Sequence, residues 1–244
     1  MPTLANSFLE TLETRRLFAG VVLDGRVLVI TGSNQNDNIV VADVGSSAPD
    51  KLQVRVNQQV TEFLRADVKA VHIEAYGGDD VIRISGGLDN PTAVNRIWGH
   101  TGNDQIMIDY WLTARIWGGA GNDGVSTRTG AQWVYGEEGN DSISASWGTD
   151  RLFGGEGDDV LQGGENADYL DGAEGDDFLA GGHGDDHLFG GVGNDVLQGN
   201  HGNDDLHAGS DTETDLLFGG SGTDLFDGQT AEDADVEAGE IAIP

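Results

Sequence analysis

In the second half of the chain a single aliphatic residue recurs every nine positions: Ile143, Leu152, Leu161, Leu170, Leu179, Leu188, Leu197 and Leu206. Two places before each stands an aspartate, Asp141, Asp150, Asp159, Asp168, Asp177, Asp186, Asp195 and Asp204. From residue 136 the units follow without a gap as GEEGNDSIS, ASWGTDRLF, GGEGDDVLQ, GGENADYLD, GAEGDDFLA, GGHGDDHLF, GGVGNDVLQ and GNHGNDDLH. Two more come after an insertion, with Asp215 and Leu217, then Asp224 and Phe226. Two positions held in register over so many units mark a true structural repeat, since compositional bias alone keeps no strict period.

The period predicts geometry. Glycines at positions one to four permit the positive φ and tight curvature of a turn, and positions seven to nine form a short strand. Side chains alternate faces along a strand, so the uniformly aliphatic position eight points inward, and the mixed positions seven and nine point outward. Two nonapeptides back to back then close one coil of 18 residues, and coils stack by parallel strand pairing at about 4.8 Å. Residues 18 apart share a side. Asp141, Asp159, Asp177 and Asp195 form one column, and Asp150, Asp168, Asp186 and Asp204 the other.

The first half follows the same grammar more loosely, in GSNQNDNIV from 32, AYGGDDVIR from 75, GHTGNDQIM from 99 and GGAGNDGVS from 118. TRTGAQWVY, 127–135, keeps the register with Gln132 in the aspartate place, so that coil is expected to hold its shape, lose an ionic ligand and tolerate Gln132→Ala. "VVLDGRVLVI" reads as a hairpin about Asp24-Gly25, and "KLQVRVN" and "VKAVHIEA" as alternating strands. The fold class is all-β: a parallel β-roll or β-helix solenoid, preceded by a less regular β-helical or β-sandwich region. The organisation divides into an N-terminal leader-like segment 1–19, a degenerate β-rich region 20–130, the regular roll 131–229 and an acidic tail 230–244.

Charge changes the picture. Asp and Glu number 43 against 12 Lys and Arg, for a formal charge of −31. Such a chain repels nucleic acid phosphates and anionic membranes, and draws cations instead. Low hydrophobicity with high charge also suits disorder, unless something offsets the ordering entropy. No apolar run approaches a membrane span, and with no cysteine there are neither disulfides nor thiolate metal sites. From 136 onward 28 acidic residues face one basic residue, Arg151. Carboxylates at coil spacing repel by roughly 1 kcal/mol per pair even in water. One aliphatic side chain per nine residues, worth roughly 1.5 to 3 kcal/mol, does not offset that together with the entropy of its glycines. A bound ion is therefore expected to be part of the fold. Carboxylate and carbonyl oxygens in a flexible loop suit Ca²⁺ better than Mg²⁺.

These nonapeptides resemble the RTX, or haemolysin-type, calcium-binding repeats of exported bacterial proteins; GGEGDDVLQ, GGHGDDHLF and GGVGNDVLQ match the GGxGxDxUx pattern at every defined position. The resemblance implies a right-handed β-roll, an extracellular or cell-surface location, and several Ca²⁺ ions held between successive turns. The ligands it implies are the side chains of Asp141, Asp150, Asp159, Asp168, Asp177, Asp186, Asp195, Asp204, Asp215 and Asp224. With them come the backbone carbonyls of Gly154, Gly157, Gly163, Gly172, Gly175, Gly181, Gly184, Gly190, Gly193, Gly199 and Gly202. Asp80, Asp104 and Asp123, with Asp37, are weaker candidates in the first half. GGENADYLD departs from the pattern through Asn166 and Ala167, which puts the site around Asp168 in doubt. "LETRRLFA", 12–19, resembles an LE-x-R-x-L segment of exported planctomycete proteins, and it reads equally as part of an amphipathic helix.

No H-E-x-x-H or G-x-S-x-G motif occurs, so no catalytic residue is nominated. His183 and His201, 18 apart at loop position three, would stack, but two neutral ligands without a third make a poor zinc site. Recurrent pairs such as Asp158 and Asp159 follow the repeat and read as structural. The aromatic row Trp117, Tyr135, Phe153 and Phe189 reads as packing between coils before a sugar or protein contact. Arg83, Arg96 and Arg115 with Trp98 and Tyr110 are the materials for an alternative, a polysaccharide lyase or epimerase-like enzyme. A surface-layer or adhesion component with a glycan or protein partner is a third reading.

Overall fold

The computed structural model describes residues 19–44, 50–86, 94–209, 213–227 and 241–243. The LE-x-R-x-L segment apart from Ala19, and most of the acidic tail, lie outside the described residues.

From Ala70–Glu74 to Leu225–Asp227 consecutive strands go to alternate sheets, so each coil there contributes one strand to each. Sheet 1 has twelve strands among the described residues, in the order Gly20–Asp24, Val27–Thr31, Ala70–Glu74, Asn95–Thr101, Ala114–Ala120, Trp133–Glu138, Arg151–Glu156, Tyr169–Glu174, His187–Val192, Asp205–Gly209, Leu225–Asp227 and Ile241–Ile243. Sheet 2 has eleven, running from Leu216–Ser221 back through Val196–His201, Phe178–His183, Val160–Glu165, Ser142–Ser144, Gly124–Thr129, Gln105–Trp111 and Val81–Ile84 to Asn38–Asp43. Two antiparallel strands, Lys51–Val56 and Gln59–Leu64, extend its far edge. From Val27–Thr31 onward sheet 1 is parallel, and an antiparallel hairpin, Gly20–Asp24 with Val27–Thr31, starts it around a two-residue turn at Gly25 and Arg26. The fold is a parallel β-solenoid. Both sheets pass without a break through residue 130, so the first half is the irregular β-helix rather than a sandwich.

The 18-residue step holds rung by rung, as Leu152 pairs with Leu170, Leu170 with Leu188, Leu161 with Leu179 and Leu179 with Leu197. These leucines are fully buried, joined in the first half by Ile30, Ile39, Ile73, Ile82, Ile97 and Ile106. Position eight is not alone inside. The aspartate of position six and the residue of position one are buried with it, because alternation along the strand carries the same face through six, eight and one. Each strand bends at position one, where the ladder skips a rung: Phe153 pairs with Asp171 and Gly155 with Ala173, passing over Gly154 and Gly172.

Positive φ is confined in the regular coils to positions two and four, as at Gly155 (129°) and Gly157 (117°). Asn166 holds position four at φ 81°, a conformation asparagine tolerates, so the departure in GGENADYLD leaves the loop and the register of Asp168 intact. The position-one glycines serve another purpose, which is room.

Candidate metal centre

Every position-six aspartate faces inward, with no more than 4 % of its surface exposed. In each case except Asp37 one carboxylate oxygen, Oδ1, accepts the backbone N–H of the equivalent residue one coil earlier. Thus Asp141 N donates to Asp159 Oδ1 (2.7 Å), Asp159 N to Asp177 Oδ1 (2.7 Å) and Asp177 N to Asp195 Oδ1 (2.9 Å). The opposite column runs likewise from Asp150 through Asp168, Asp186 and Asp204 to Asp224 at 2.7–2.9 Å. The two columns stay separate, and Asp186 and Asp195 belong to different ones.

The second oxygen is the chemically unusual one. Oδ2 of Asp80, Asp104, Asp123, Asp141, Asp150, Asp159, Asp168, Asp177, Asp186, Asp204 and Asp224 is buried and meets no hydrogen-bond donor. A buried carboxylate oxygen in that state carries a desolvation cost of several kcal/mol unless a cation compensates it. Burial pushes nine of these carboxyls up from the ordinary value, Asp168 to about 8, Asp80, Asp123, Asp141, Asp177 and Asp186 to about 7, and Asp150, Asp159 and Asp204 to about 6. Adjacent carboxylates add to the effect, as Asp150 and Asp186 do for Asp168, and the N–H bond to Oδ1 opposes it. Asp104 is raised for the same first reason.

Where position one is glycine, the unsatisfied oxygen lies against it. A Cβ added at Gly154 would overlap Asp159 Oδ2 and sit 2.8 Å from the Gly172 carbonyl; at Gly172 it would overlap Asp177 Oδ2 and sit 2.7 Å from the Gly190 carbonyl. Gly163, Gly190 and Gly199 repeat the arrangement with Asp168, Asp195 and Asp204, and a Cβ at Gly181 would overlap Asp186 Oδ2. Carboxylate Oδ2 and the carbonyl of the next coil therefore flank one small space, the kind of oxygen donor set a hard cation takes. Position one is alanine instead of glycine at Ala75, Ala145 and Ala208. The carbonyls of Gly157, Gly175 and Gly184 at position four abut the position-four glycine of the following coil: Gly175, Gly193 and Gly202. Among the described residues no three His, Asp or Glu side chains converge on one point, so an ion here takes most of its oxygens from the backbone.

The weaker candidates sort into two kinds. Asp80, Asp104 and Asp123 continue the second-sheet column upward, through Asp80 N to Asp104 Oδ1, Asp104 N to Asp123 Oδ1 and Asp123 N to Asp141 Oδ1, all at 2.7 Å. Asp37 ends that column differently. Its Oδ2 accepts from Ser33 N (2.6 Å) and Ser33 Oγ (2.9 Å), and its Oδ1 from Asn57 Nδ2 (2.5 Å), so its charge is solvated by the protein itself.

The first-sheet column loses its charge above Asp150. Gln132 N donates to Asp150 Oδ1 (2.7 Å); Gln132 Oε1 accepts from Ala114 N (3.0 Å), and its Nε2 donates to the carbonyls of Leu112 (2.5 Å) and Thr129 (3.1 Å). Asn95 repeats the device, accepting from Val71 N (2.8 Å) and donating to Thr113 O (2.9 Å). An amide thus fills both roles, hydrogen-bond acceptor and plug. This reverses the expectation that Gln132→Ala is harmless. The substitution strands the buried Ala114 N–H and two carbonyls, and is expected to lower stability by about 1–3 kcal/mol. Urea denaturation in saturating Ca²⁺ checks it.

A second ladder was not legible as a ladder. Position-five Asp and Asn side chains bond in the other direction, accepting the N–H of the following coil, as in Asp176 N to Asp158 Oδ1 (3.0 Å), Asn194 N to Asp176 Oδ1 (2.8 Å) and Asn203 N to Asp185 Oδ1 (2.8 Å). The recurrent Asx at that place was its only signal. His183 and His201 stack with ring centroids 4.5 Å apart, and His201 Nδ1 lies 2.7 Å from Ser221 Oγ. The outward aromatics stack as well, with Trp98 on Trp117 at 4.8 Å, Trp117 on Tyr135 at 5.8 Å and Tyr135 on Phe153 at 4.9 Å. Where Asp171 interrupts the row, Tyr169 bridges Phe153 to Phe189.

No curated protein matches the chain. A family model does, the RTX calcium-binding nonapeptide repeat (4 copies), in overlapping matches at residues 126–161, 144–179, 153–188, 162–197, 180–212 and 211–233. Those matches cover the coils in which both aspartate columns run side by side, and the stretch from 126 to 233 carries several copies of the RTX calcium-binding nonapeptide repeat.

Proposed function

We propose that this chain is a non-catalytic, exported calcium-binding module whose folding is coupled to the ion, serving as a structural or adhesive element outside the cell. The observation that supports it is the row of buried Oδ2 atoms, most of them packed with a backbone carbonyl of the next coil against a position-one glycine. In that reading the position-six aspartates other than Asp37, with Asp80, Asp104 and Asp123 included, supply one oxygen each, and the position-one carbonyls supply others. Calcium would contribute two positive charges between facing coils, turning mutual repulsion of carboxylates into attraction to a shared ion. Asp37, Asn95 and Gln132 need no ion, and they bound the calcium region at its upper end.

Coupling follows from linkage. The oxygens are assembled only when coils stack, so the free energy of binding is free energy of folding. At low intracellular calcium the columns keep the chain open; at the 10⁻⁴ to 10⁻³ M range typical of extracellular calcium modules it closes. RTX repeats are typical of exported bacterial proteins, which accords with that placement.

A calcium titration by far-UV circular dichroism tests this. The expected result is a cooperative gain of β-structure, reversed by chelator and not reproduced by Mg²⁺ at equal concentration. β-structure already complete in excess chelator at neutral pH would sink the coupling.

A further inference from the structure

The outward face of sheet 1 differs in charge from the rest of the molecule. Strand register places Arg96, Arg115, Trp133 and Arg151 in one row, and Trp98, Trp117, Tyr135 and Phe153 in the row beside it. No carboxylate stands in either row over these four coils, in a chain with 43 acidic residues. Glu74 and Asp171 bracket the patch at its two ends. The three arginines are exposed, and among the described residues none of them forms an ion pair. Trp133 is held between two of them, 4.8 Å from the Arg115 guanidinium and 4.9 Å from that of Arg151. That contact stiffens both side chains and uses the guanidinium faces rather than an ion pair.

The stacking decides what kind of ligand fits. Trp98, Trp117, Tyr135 and Phe153 turn their faces to one another, with planes within 6–9° of parallel, so flat apolar sugar faces find no free ring face here. What remains outward is ring edge, the positive part of the aromatic quadrupole. Guanidiniums and ring edges together make a positive strip along the solenoid axis. We propose that this strip docks an acidic polysaccharide, a linear uronic acid chain laid along the axis with its carboxylates on Arg96, Arg115 and Arg151.

Pitch favours that occupant over other polyanions. Arg96 and Arg115 are one coil apart and Arg115 and Arg151 two, so charges fall at multiples of about 4.8 Å. A uronic acid chain carries one carboxylate per pyranose ring, so a short run of rings spans the three coil steps from Arg96 to Arg151 and can set a carboxylate near each guanidinium. An extended acidic peptide presents same-face carboxylates only every second residue, about 6.6–6.8 Å, and drifts out of step within two charges. Duplex DNA carries a phosphate about every 3.4 Å along each strand and meets the same mismatch. The proposal rests on the calcium reading only through the fold that sets the rows.

The test uses the full chain in saturating Ca²⁺ with a short oligogalacturonate, too short to gel with the ion, followed by tryptophan fluorescence. Saturable binding is expected, weakened about tenfold by Arg115→Gln and again by Arg151→Gln, each a charge-assisted contact. The methyl ester of the same oligosaccharide is expected not to bind. Equal binding of the ester, undiminished affinity of the folded arginine variants, or equal affinity for poly-L-glutamate would each overturn the proposal, the last in favour of an acidic protein partner. If Arg151→Gln does not fold, Arg96→Gln at the end of the row, in no ring contact, gives the same readout. Circular dichroism on the same samples separates the two questions: absent calcium response counts against the columns, and absent sugar binding by folded protein counts against the strip.

Discussion

In excess chelator, acidification from pH 8 toward pH 4 is expected to fold the repeat region in place of calcium. Nine aspartates of the columns, Asp80, Asp123, Asp141, Asp150, Asp159, Asp168, Asp177, Asp186 and Asp204, have folded-state values of about 6 to 8, against an ordinary carboxyl value of 3.8. A carboxyl raised by folding binds its proton more tightly in the folded state. Its contribution to stability is therefore fully present below about pH 4 and is lost as pH rises through 6 to 8. Each unit of displacement corresponds to about 1.4 kcal/mol, and the members of a column are coupled, so the transition is expected to be steep. Protons and calcium then compete for the same oxygens. Calcium affinity should fall as pH drops through this window, even as the chelated protein gains order. Circular dichroism against pH, with chelator and with saturating calcium, gives two curves that converge at low pH. A chelated protein whose β-content decreases on acidification would overturn the account of the columns.

Asp177→Asn is expected to move stability in opposite directions in the two states. Asparagine keeps the Oδ1 that accepts Asp159 N–H, and it puts an N–H donor where the unsatisfied Oδ2 stood, beside the Gly190 carbonyl. Asn95 and Gln132 already use that arrangement on the other side of the solenoid. The chelated variant should gain about 1–3 kcal/mol, the scale of relieving one buried unsatisfied polar atom. The calcium-loaded variant should lose binding at the sites on either side of residue 177, and with it cooperativity. Asp177→Ala, which also strands the Asp159 N–H, should weaken calcium-induced folding without that gain. Urea denaturation in chelator and calorimetric titration with calcium read the two signs separately; an asparagine variant less stable than the parent in chelator is the result that contradicts the scheme.

Both expectations start from residues that the nine-residue period picks out. Aspartate two places before an aliphatic, repeated without slippage, is enough to place Leu152 over Leu170 and Asp159 over Asp177, because strand alternation and an 18-residue coil leave no other register. Calcium as the ion follows from the type of donor and from the family pattern. Asp80, Asp104 and Asp123 were harder to rank, since insertions break the spacing between them to 24 and 19 residues, yet the N–H to Oδ1 chain absorbs those insertions into loops.

Other features depend on groups that only stacking brings together. Asp37 and Asp80 carry the same residue in the same motif place, but Ser33 and Asn57 solvate the first, while the second keeps an unsatisfied oxygen. Gln132 read as a missing ligand, and its amide bonds to Leu112, Ala114 and Thr129 make it a structural plug. The opposed direction of the position-five and position-six ladders, and the acid-free row of Arg96, Arg115 and Arg151, likewise depend on which side chains share a face across coils. By itself the sequence determined the coil length, the inward leucines and the two aspartate columns, because these follow from local alternation and a fixed period. The tertiary structure decided which carboxylates are left without a donor and which face of the solenoid is positive, because both depend on contacts between residues one or more coils apart, where insertions and substitutions are settled by packing and hydrogen bonding.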